Sequence, residues 1–232
     1  RVNYRNHRKI VVIDGNVGFV GGFNIGREYI SKDPGFGYWR DTHLRITGEA
    51  VMSLQIRFAL DWNYATGENL FKNEAYFRTD LKKKTDVRRD KERPAWPDPE
   101  LEGSQVGMQI IASGPDTREP HIRNNYLELF HKAKHHIYIQ TPYFVPDDAI
   151  FSALKMAALS GVDVRLMIPC KPDHPFVYRA TCSYAGELLD YGAKVYIYTN
   201  GFLHSKGIMV DGRVCCYGTA NMDIRSFELN FE

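Results

Sequence analysis

The sequence predicts an α/β fold in which mostly parallel sheets are covered by helices, built as two pseudo-repeated domains of which the first is truncated. Three observations carry this. From Val106 onward, short apolar runs alternate with helical patterns, the order that produces parallel sheets covered on both faces. The two ends of the chain repeat one another. In each copy of the repeat an Asp-Gly pair joins two apolar runs, which is a tight-hairpin signal.

Composition sets the class. The 232 residues are 44% hydrophobic and 25% charged, as in a folded globular protein and unlike a disordered one. The net charge of +2 is too small to imply a nucleic-acid partner. No stretch reaches the roughly 18 apolar residues of a spanning helix, and there is no signal peptide. Cys170, Cys182, Cys215 and Cys216 lack metal-site spacing and read as reduced, buried small residues of a cytoplasmic or cytoplasm-facing protein. The chain opens at Arg1 close to a strand-like motif and stops at Glu232 on an apparent strand, so both ends are expected to be internal to a longer protein.

Along the chain, Lys9 to Gly22 forms two apolar runs around Asp14-Gly15-Asn16, a hairpin. Asn24 to Tyr29 suits a short helical turn, and Lys32 to Gly37, with Pro34 and two glycines, a loop. Tyr38 to Ile46 alternates like a strand. Glu49 to Tyr64 reads as an amphipathic helix with Val51, Leu54, Phe58 and Trp62 at helical spacing. Residues 65–104 read as a linker, with Lys82-Lys83-Lys84, Arg88-Arg89, Pro94, Pro97 and Pro99. Strands are expected at 106–112, 135–140, 162–168 and 194–199, and helices near 119–134, 147–160 and 176–191. A second hairpin covers 204–211 and 213–218, and a last strand lies near 227–232. The domain division is therefore 1–64, linker 65–104 and 105–232.

The repeat is the strongest signal. Shifting residues 7–24 by 204 − 7 = 197 positions gives six identities: His7/His204, Lys9/Lys206, Asp14/Asp211, Gly15/Gly212, Gly21/Gly218 and Asn24/Asn221. About one would arise by chance at ~6% per residue type. Hairpin chemistry accounts for the Asp-Gly matches but not for a repeated His-x-Lys. If each pair lies on a strand, its two side chains share a face.

Two histidines on two similar halves suit phosphodiester chemistry at a pseudo-twofold interface. One imidazole attacks phosphorus and forms a phospho-histidine, while the other protonates the leaving alkoxide. Lys9, Lys206, Asn24 and Asn221 supply donors to the non-bridging oxygens. No carboxylate cluster suggests a metal, and no cofactor is expected. Each histidine needs an acid to fix its tautomer. The candidates follow each motif on the next strand: Asp41 after His7, and Glu232 after His204.

His-x-Lys-x4-Asp twice, each followed by Gly-x-x-Asn, resembles the phospholipase D superfamily. Asn3–Lys9, Gly37–His43, Gln140–Phe144, Lys171–Pro175 and Gly218–Ser226 narrow the resemblance to bacterial cardiolipin synthases. The resemblance implies a phospholipase D-like fold and phosphatidyl transfer between two phosphatidylglycerol molecules, giving cardiolipin and glycerol. It implies a phospholipid substrate, a bacterial membrane location and a catalytic part facing the cytoplasm. It assigns His7 as nucleophile and His204 as acid, and credits Asp14 and Asp211 to the site, although their hairpin position suits a framework role. Family members are longer, so this chain is expected to lack an amino-terminal membrane part and part of the first domain.

Other features are weaker. Tyr143, Phe144 and His174 follow strands at positions that line sites in open α/β sheets, or are ordinary core and loop residues. His43, His121, His131, His135 and His136 read as structural or solvated. Leu70-Phe71, Tyr76-Phe77 and the Lys82–Lys84 run suit an anionic membrane surface or, more simply, a solvated linker. The same histidines using water would make a hydrolytic phospholipase or nuclease. A nuclease needs a basic, aromatic-interleaved groove, which the near-neutral charge disfavours. A catalytically dead lipid-binding module is disfavoured because both motifs are complete.

Overall fold

A computed structural model describes residues 3–77 and 106–232. Their contacts divide into two compact units, Arg1–Val11 with Phe19–Arg45 and Ile111–Glu232, and Val12–Gly18 with Ile46–Ile110.

The amino-terminal part supplies strands β1 (Arg5–Asn6), β2 (Ile10–Ile13), β3 (Val17–Gly21), β4 (Trp39–Arg40) and β5 (His43–Thr47), then helix α1 (Ala50–Thr66). Helix α1 stops at Gly67, whose φ of 76° suits a residue without a Cβ. Two 3-10 turns follow at Leu70–Lys72 and Glu74–Tyr76. Each is opened by an asparagine side chain, Asn69 accepting from Phe71 N and Asn73 from Ala75 N. The membrane-surface reading of Leu70-Phe71 thus falls on ordered turns, whereas Lys82–Lys84 and the prolines of the expected linker lie outside the described residues.

The carboxyl-terminal part supplies α2 (His121–Lys132), β6 (His136–Gln140), β7 (Phe144–Val145), α3 (Asp148–Leu159), β8 (Asp163–Pro169), α4 (Pro175–Leu189) and β9 (Lys194–Tyr198). It ends with β10 (Phe202–Leu203), β11 (Gly207–Val210), β12 (Val214–Tyr217), β13 (Met222–Asp223), α5 (Ile224–Glu228) and β14 (Asn230–Phe231). Helix starts follow local chemistry. Asp147 caps α3 by accepting from Ile150 N, and Pro175 opens α4, where its missing N–H leaves nothing unsatisfied.

The α/β class holds. Five strands form one sheet in the order β12-β11-β6-β8-β9. Strands β6, β8 and β9 are parallel, and β11 is antiparallel to both β6 and β12. Strand β8 is buried on one face by Val164, Leu166 and Ile168, in one cluster with Ile150 and Leu154 of α3 and Leu188 of α4. Among the described residues no helix is long and apolar enough to cross a membrane.

Both Asp-Gly pairs make the predicted hairpin turn. Asp14 and Gly15 have φ of 52° and 67°, and Asp211 and Gly212 have 53° and 65°. Positive φ at both central residues is what a type I′ turn requires. Asp211 does more: its carboxylate accepts from the backbone N–H groups of Lys134, His135 and His136 at 2.8–2.9 Å. These bonds tie the β11–β12 turn to the start of β6 and hold the Asp211 carboxyl down at about 2.

Several expectations are corrected. Residues 106–112 form no strand. The span 38–46 breaks into β4 and β5 at Asp41-Thr42, because Asp41 accepts from the following Thr42 N and leaves the ladder. The turn after Asn24 is a 3-10 turn at Glu28–Ile30 only. The last strand shrinks to β14 because Asp223 caps α5 by accepting from Ser226 N. Cys182 and Cys215 are exposed rather than buried. The buried face of α4 is set by Thr181, Ala185 and Leu188, and Cys215 lies on the edge strand β12.

Asp211 yields a test with a defined sign. A carboxyl whose folded pKa is depressed adds stability above its unfolded value, near 3.8, and loses it as pH falls through about 2. Urea titrations at several pH values should show Asp211→Asn less stable than the parent at pH 7, with the difference vanishing toward pH 2. A constant difference would contradict this account.

Candidate active site

Neither His-Lys pair lies on a strand. His7-Arg8-Lys9 bridges β1 and β2, and His204-Ser205-Lys206 bridges β10 and β11. Two short parallel ladders decide what each histidine meets. Strand β1 pairs with β14, matching Asn6 to Phe231, so the next rung sets His7 beside Glu232. Strand β4 pairs with β10, matching Arg40 to Leu203, so the next rung sets Asp41 beside His204. His7 N donates to Phe231 O at 2.9 Å and His204 N to Arg40 O at 2.8 Å, which continues both ladders.

The acids are therefore exchanged relative to the sequence expectation. His7 Nδ1 is 2.9 Å from both carboxylate oxygens of Glu232. His204 Nδ1 is 2.7 Å from Asp41 Oδ2. A carboxylate only accepts, so each Nδ1 carries the proton and each Nε2 is left with a lone pair. Proximity in sequence suggested pairing within each motif; parallel pairing between the two ends of the chain produces the opposite.

The surroundings hold these carboxylates. Asp41 Oδ1 accepts from Thr42 N at 2.8 Å, and Trp39 Nε1 lies 3.5 Å from Oδ2. An alanine Cβ at Gly22 would come within 2.1 Å of Asp41 Oδ1, so the glycine gives the carboxylate its room. Glu232 takes a bond from Asn230 Nδ2 at 3.1 Å. Burial pushes the Glu232 carboxyl up, but the bond and charge of His7, with bonds from Thr219 and Asn230, bring it below its ordinary value. Its backbone exchanges two hydrogen bonds with Ser113, at 2.9 and 3.1 Å. Arg8 donates to Glu232 O and Ser113 O at 2.8 and 2.9 Å, and Thr42 Oγ1 meets Ser205 Oγ at 2.8 Å. Sequence reasoning did not single out Ser113, Arg8, Thr42 or Ser205. The place of Arg8 and Ser205 inside the two motifs was the available signal.

Lys206 is buried and Lys9 half-buried, each against its own histidine. Lys9 Nζ donates to His7 O at 2.7 Å, and Lys206 Nζ to His204 O at 2.6 Å. Lys206 Nζ also lies 3.1 Å from both ring nitrogens of His204, of which only Nε2 can accept. Burial lowers Lys9 to about 8, against the pull of Glu232 and Asp41. Burial lowers Lys206 to about 7, opposed by Asp41 and reinforced by Lys9. His204 drops to about 4 through burial and the Lys206 charge, against its bond to Asp41. That burial is aromatic: Trp39 and Tyr29 sit 4.9 and 5.7 Å from the His204 ring. The two half-sites share one field, since Lys9 acts on His204 and Lys206 while Glu232 acts on both lysines. Such a site can hold a phosphodiester anion, because the anion restores the charge that burial takes from the lysines.

The remaining candidates divide. Asn221 is buried and its Oδ1 has no partner among the described residues; its backbone N–H donates to Ser226 Oγ at 3.1 Å. Asn24 is exposed and donates to Tyr29 Oη at 2.5 Å, so the pair related by the repeat occupies unlike settings. Asp211 lies at the other end of strand β11 from Lys206, and its carboxylate is engaged by the backbone at the start of β6, the framework position its hairpin turn suggested. Asp14 occupies the corresponding turn, one strand beyond Lys9. His43 accepts from Phe23 N at 3.3 Å and stacks on its ring.

The chain is similar to several known proteins. Residues 126–232 match the family described as cardiolipin synthase, PLD-like domain. The cardiolipin synthase of Oceanobacillus iheyensis is 51% identical over 232 residues, which is all of this chain and 44% of that protein. The major cardiolipin synthase ClsA of Bacillus subtilis is 52% identical with the same coverage. The chain thus spans 44% of the length of the curated relatives it matches. In fold it is similar to the phosphatidylserine synthase of Haemophilus influenzae, at 17% identity and a TM-score of 0.59, covering 97% of this chain and 56% of that one.

The buried His204 gives a direct check. Its ring should stay neutral as pH falls from 8 to 5, with the NMR shifts of an Nδ1–H tautomer, and should titrate near 4. Gly22→Ala should dislodge Asp41 and abolish the low-field Nδ1 proton. A His204 titrating near 6.5 would contradict the structure.

Proposed function

We propose that the chain is part of a phospholipase D-like cardiolipin synthase, and that the protein transfers a phosphatidyl group from one phosphatidylglycerol to another, yielding cardiolipin and glycerol. The observation that supports this reading best is the reciprocal pairing of His7 with Glu232 and His204 with Asp41. It provides two imidazoles, each with Nδ1 held by a carboxylate and a lone pair on Nε2, beside the buried Lys206 and the half-buried Lys9.

In this reading His7 Nε2 attacks phosphorus and His204 delivers a proton to the departing glycerol oxygen. Glu232 and Asp41 stabilise the positive charge that develops on each ring. Burial and the Lys206 charge hold His204 near 4, and a substrate phosphate that offsets the Lys206 and Lys9 charges lets it carry that proton. Lys9, Lys206 and Asn221 bind the non-bridging oxygens, and Asn24 acts through Tyr29. The acceptor hydroxyl then loses its proton to His204 and displaces His7 from phosphorus. Residues 1–64 and 105–232 are the contributions of two pseudo-repeated domains joined by 65–104. The phospholipid substrate assigns the work to a bacterial membrane surface, with the catalytic part on the cytoplasmic side.

The full-length protein given phosphatidylglycerol vesicles should release glycerol and form cardiolipin in equal amounts. Phosphatidic acid as sole product would make it a hydrolase instead. His7→Ala or His204→Ala should lower turnover by about a thousandfold or more, and activity surviving in both variants would end the two-histidine mechanism. Lys206 binds phosphate best when protonated, so kcat/KM should fall as pH rises through about 7. Lys206→Arg, which stays charged, should move that limb to higher pH.

A further inference from the structure

One carboxylate at the site orients neither histidine. The edge of the sheet that carries Lys206 is also where β6 and β8 end, because Gly207 pairs with Gln140 and β6 runs parallel to β8. Beyond those ends come Tyr143, three residues past β6, and Asp173, four residues past β8. The two meet there, Tyr143 Oη donating to Asp173 Oδ2. Asp173 Oδ1 accepts from His174 N at 2.8 Å. Thr141 fixes the approach of Tyr143: its hydroxyl donates to Tyr143 O at 2.8 Å and accepts from Met222 N at 3.2 Å, next to Asn221.

Among the described residues, no lysine or arginine is paired with this acid. Lys171, on the same loop, donates its ammonium to Gly35 O at 2.9 Å. His174 is 70% exposed and its Nε2 stands 4.0 Å from Asp173 Oδ2. Yet the Asp173 charge is felt by Lys206 and by Tyr29, which stacks edge-on against His204. Burial and Asp173 together raise the Tyr143 phenol, which stays protonated.

A carboxylate beside a phosphate-binding centre, paired with neither lysine nor arginine, repels the phosphate, so it is expected there only if it recognises another part of the ligand. The phenol proton is already given to Asp173. What the pair presents is therefore acceptors, the carboxylate lone pairs and the phenol oxygen. Two adjacent acceptors match a group carrying two hydroxyl donors. We infer that Asp173 and Tyr143 form a polyol subsite that selects the glyceryl headgroup by its non-reacting hydroxyls. The inference rests on the phosphatidyl-transfer reading and adds a residue basis for its choice of alcohol.

Headgroup exchange by the full-length protein tests it. Phosphatidylglycerol vesicles are supplied with labelled glycerol, ethanol or ethanolamine as acceptor. In each exchange the acceptor oxygen bonds to phosphorus, and the phosphorus–nitrogen bond breaks with its pair returning to the imidazole. The acceptor proton passes to the other histidine. Ethanol offers no second hydroxyl, so the readout is the ratio of kcat/KM for glycerol to that for ethanol. Asp173→Asn should lower this ratio about tenfold and Tyr143→Phe severalfold, as loss of a hydrogen bond to a charged or phenolic acceptor predicts. A merely structural role would reduce both alcohols by the same factor, and that result overturns the subsite. So does a larger loss with ethanolamine than with glycerol, which would make Asp173 a cation site. Exchange with unaltered selectivity overturns the subsite alone. No exchange by the unsubstituted protein overturns the transfer reading and the subsite with it.

Discussion

Two parallel ladders of two residues each hold the site together. Strand β1 on β14 and strand β4 on β10 both stop one rung short of a histidine and its acid. The backbone register thus determines which carboxylate meets which imidazole, to within hydrogen-bond distance. The two ladders join residues 225 and 163 positions apart, so neither half-site forms from local sequence alone. Gly22 and Gly201 serve this arrangement by leaving out a side chain: a Cβ on Gly22 would strike Asp41, and one on Gly201 would strike Tyr38 O just before β4.

Burial gives the assembled groups their reactivity. His204, Lys206 and Glu232 are each less than one-tenth exposed. In water the two lysines would be fully charged and tightly solvated. Here desolvation weakens their hold on protons, and the carboxylates offset only part of that. The two lysines are therefore short of negative charge around them, a setting that suits an anionic group. The aromatic walls around His204 act in the same sense, since a dry imidazole resists protonation until its neighbours are neutralised.

The two halves of the repeat are not equivalent. His204 is nearly enclosed, whereas the His7 side chain keeps 28% of its exposure. Asn221 is buried with an unpaired amide oxygen, while Asn24 sits at the surface on Tyr29. This asymmetry suits a reaction in two unlike steps, with one histidine accepting the group being moved and the other handling protons.

The sequence by itself determined the α/β class and both hairpins, and it supplied the candidate site residues. The α/β order and the Asp-Gly turns depend on short-range backbone preference, and the duplicated His-x-Lys needs only to be found twice. It did not reveal that His204 and Lys206 leave the strand, that 106–112 is irregular, or that a short helix caps the chain before Glu232. Those follow from hydrogen bonds to partners far away, or from a single cap such as Asp223. The acid–histidine partnership was decided by tertiary structure alone. Asp41 and Glu232 were both legible as candidates, but spacing along the chain carries no information about the register of parallel strands from opposite ends. That register is fixed only when the backbone N–H groups of His7 and His204 find Phe231 O and Arg40 O.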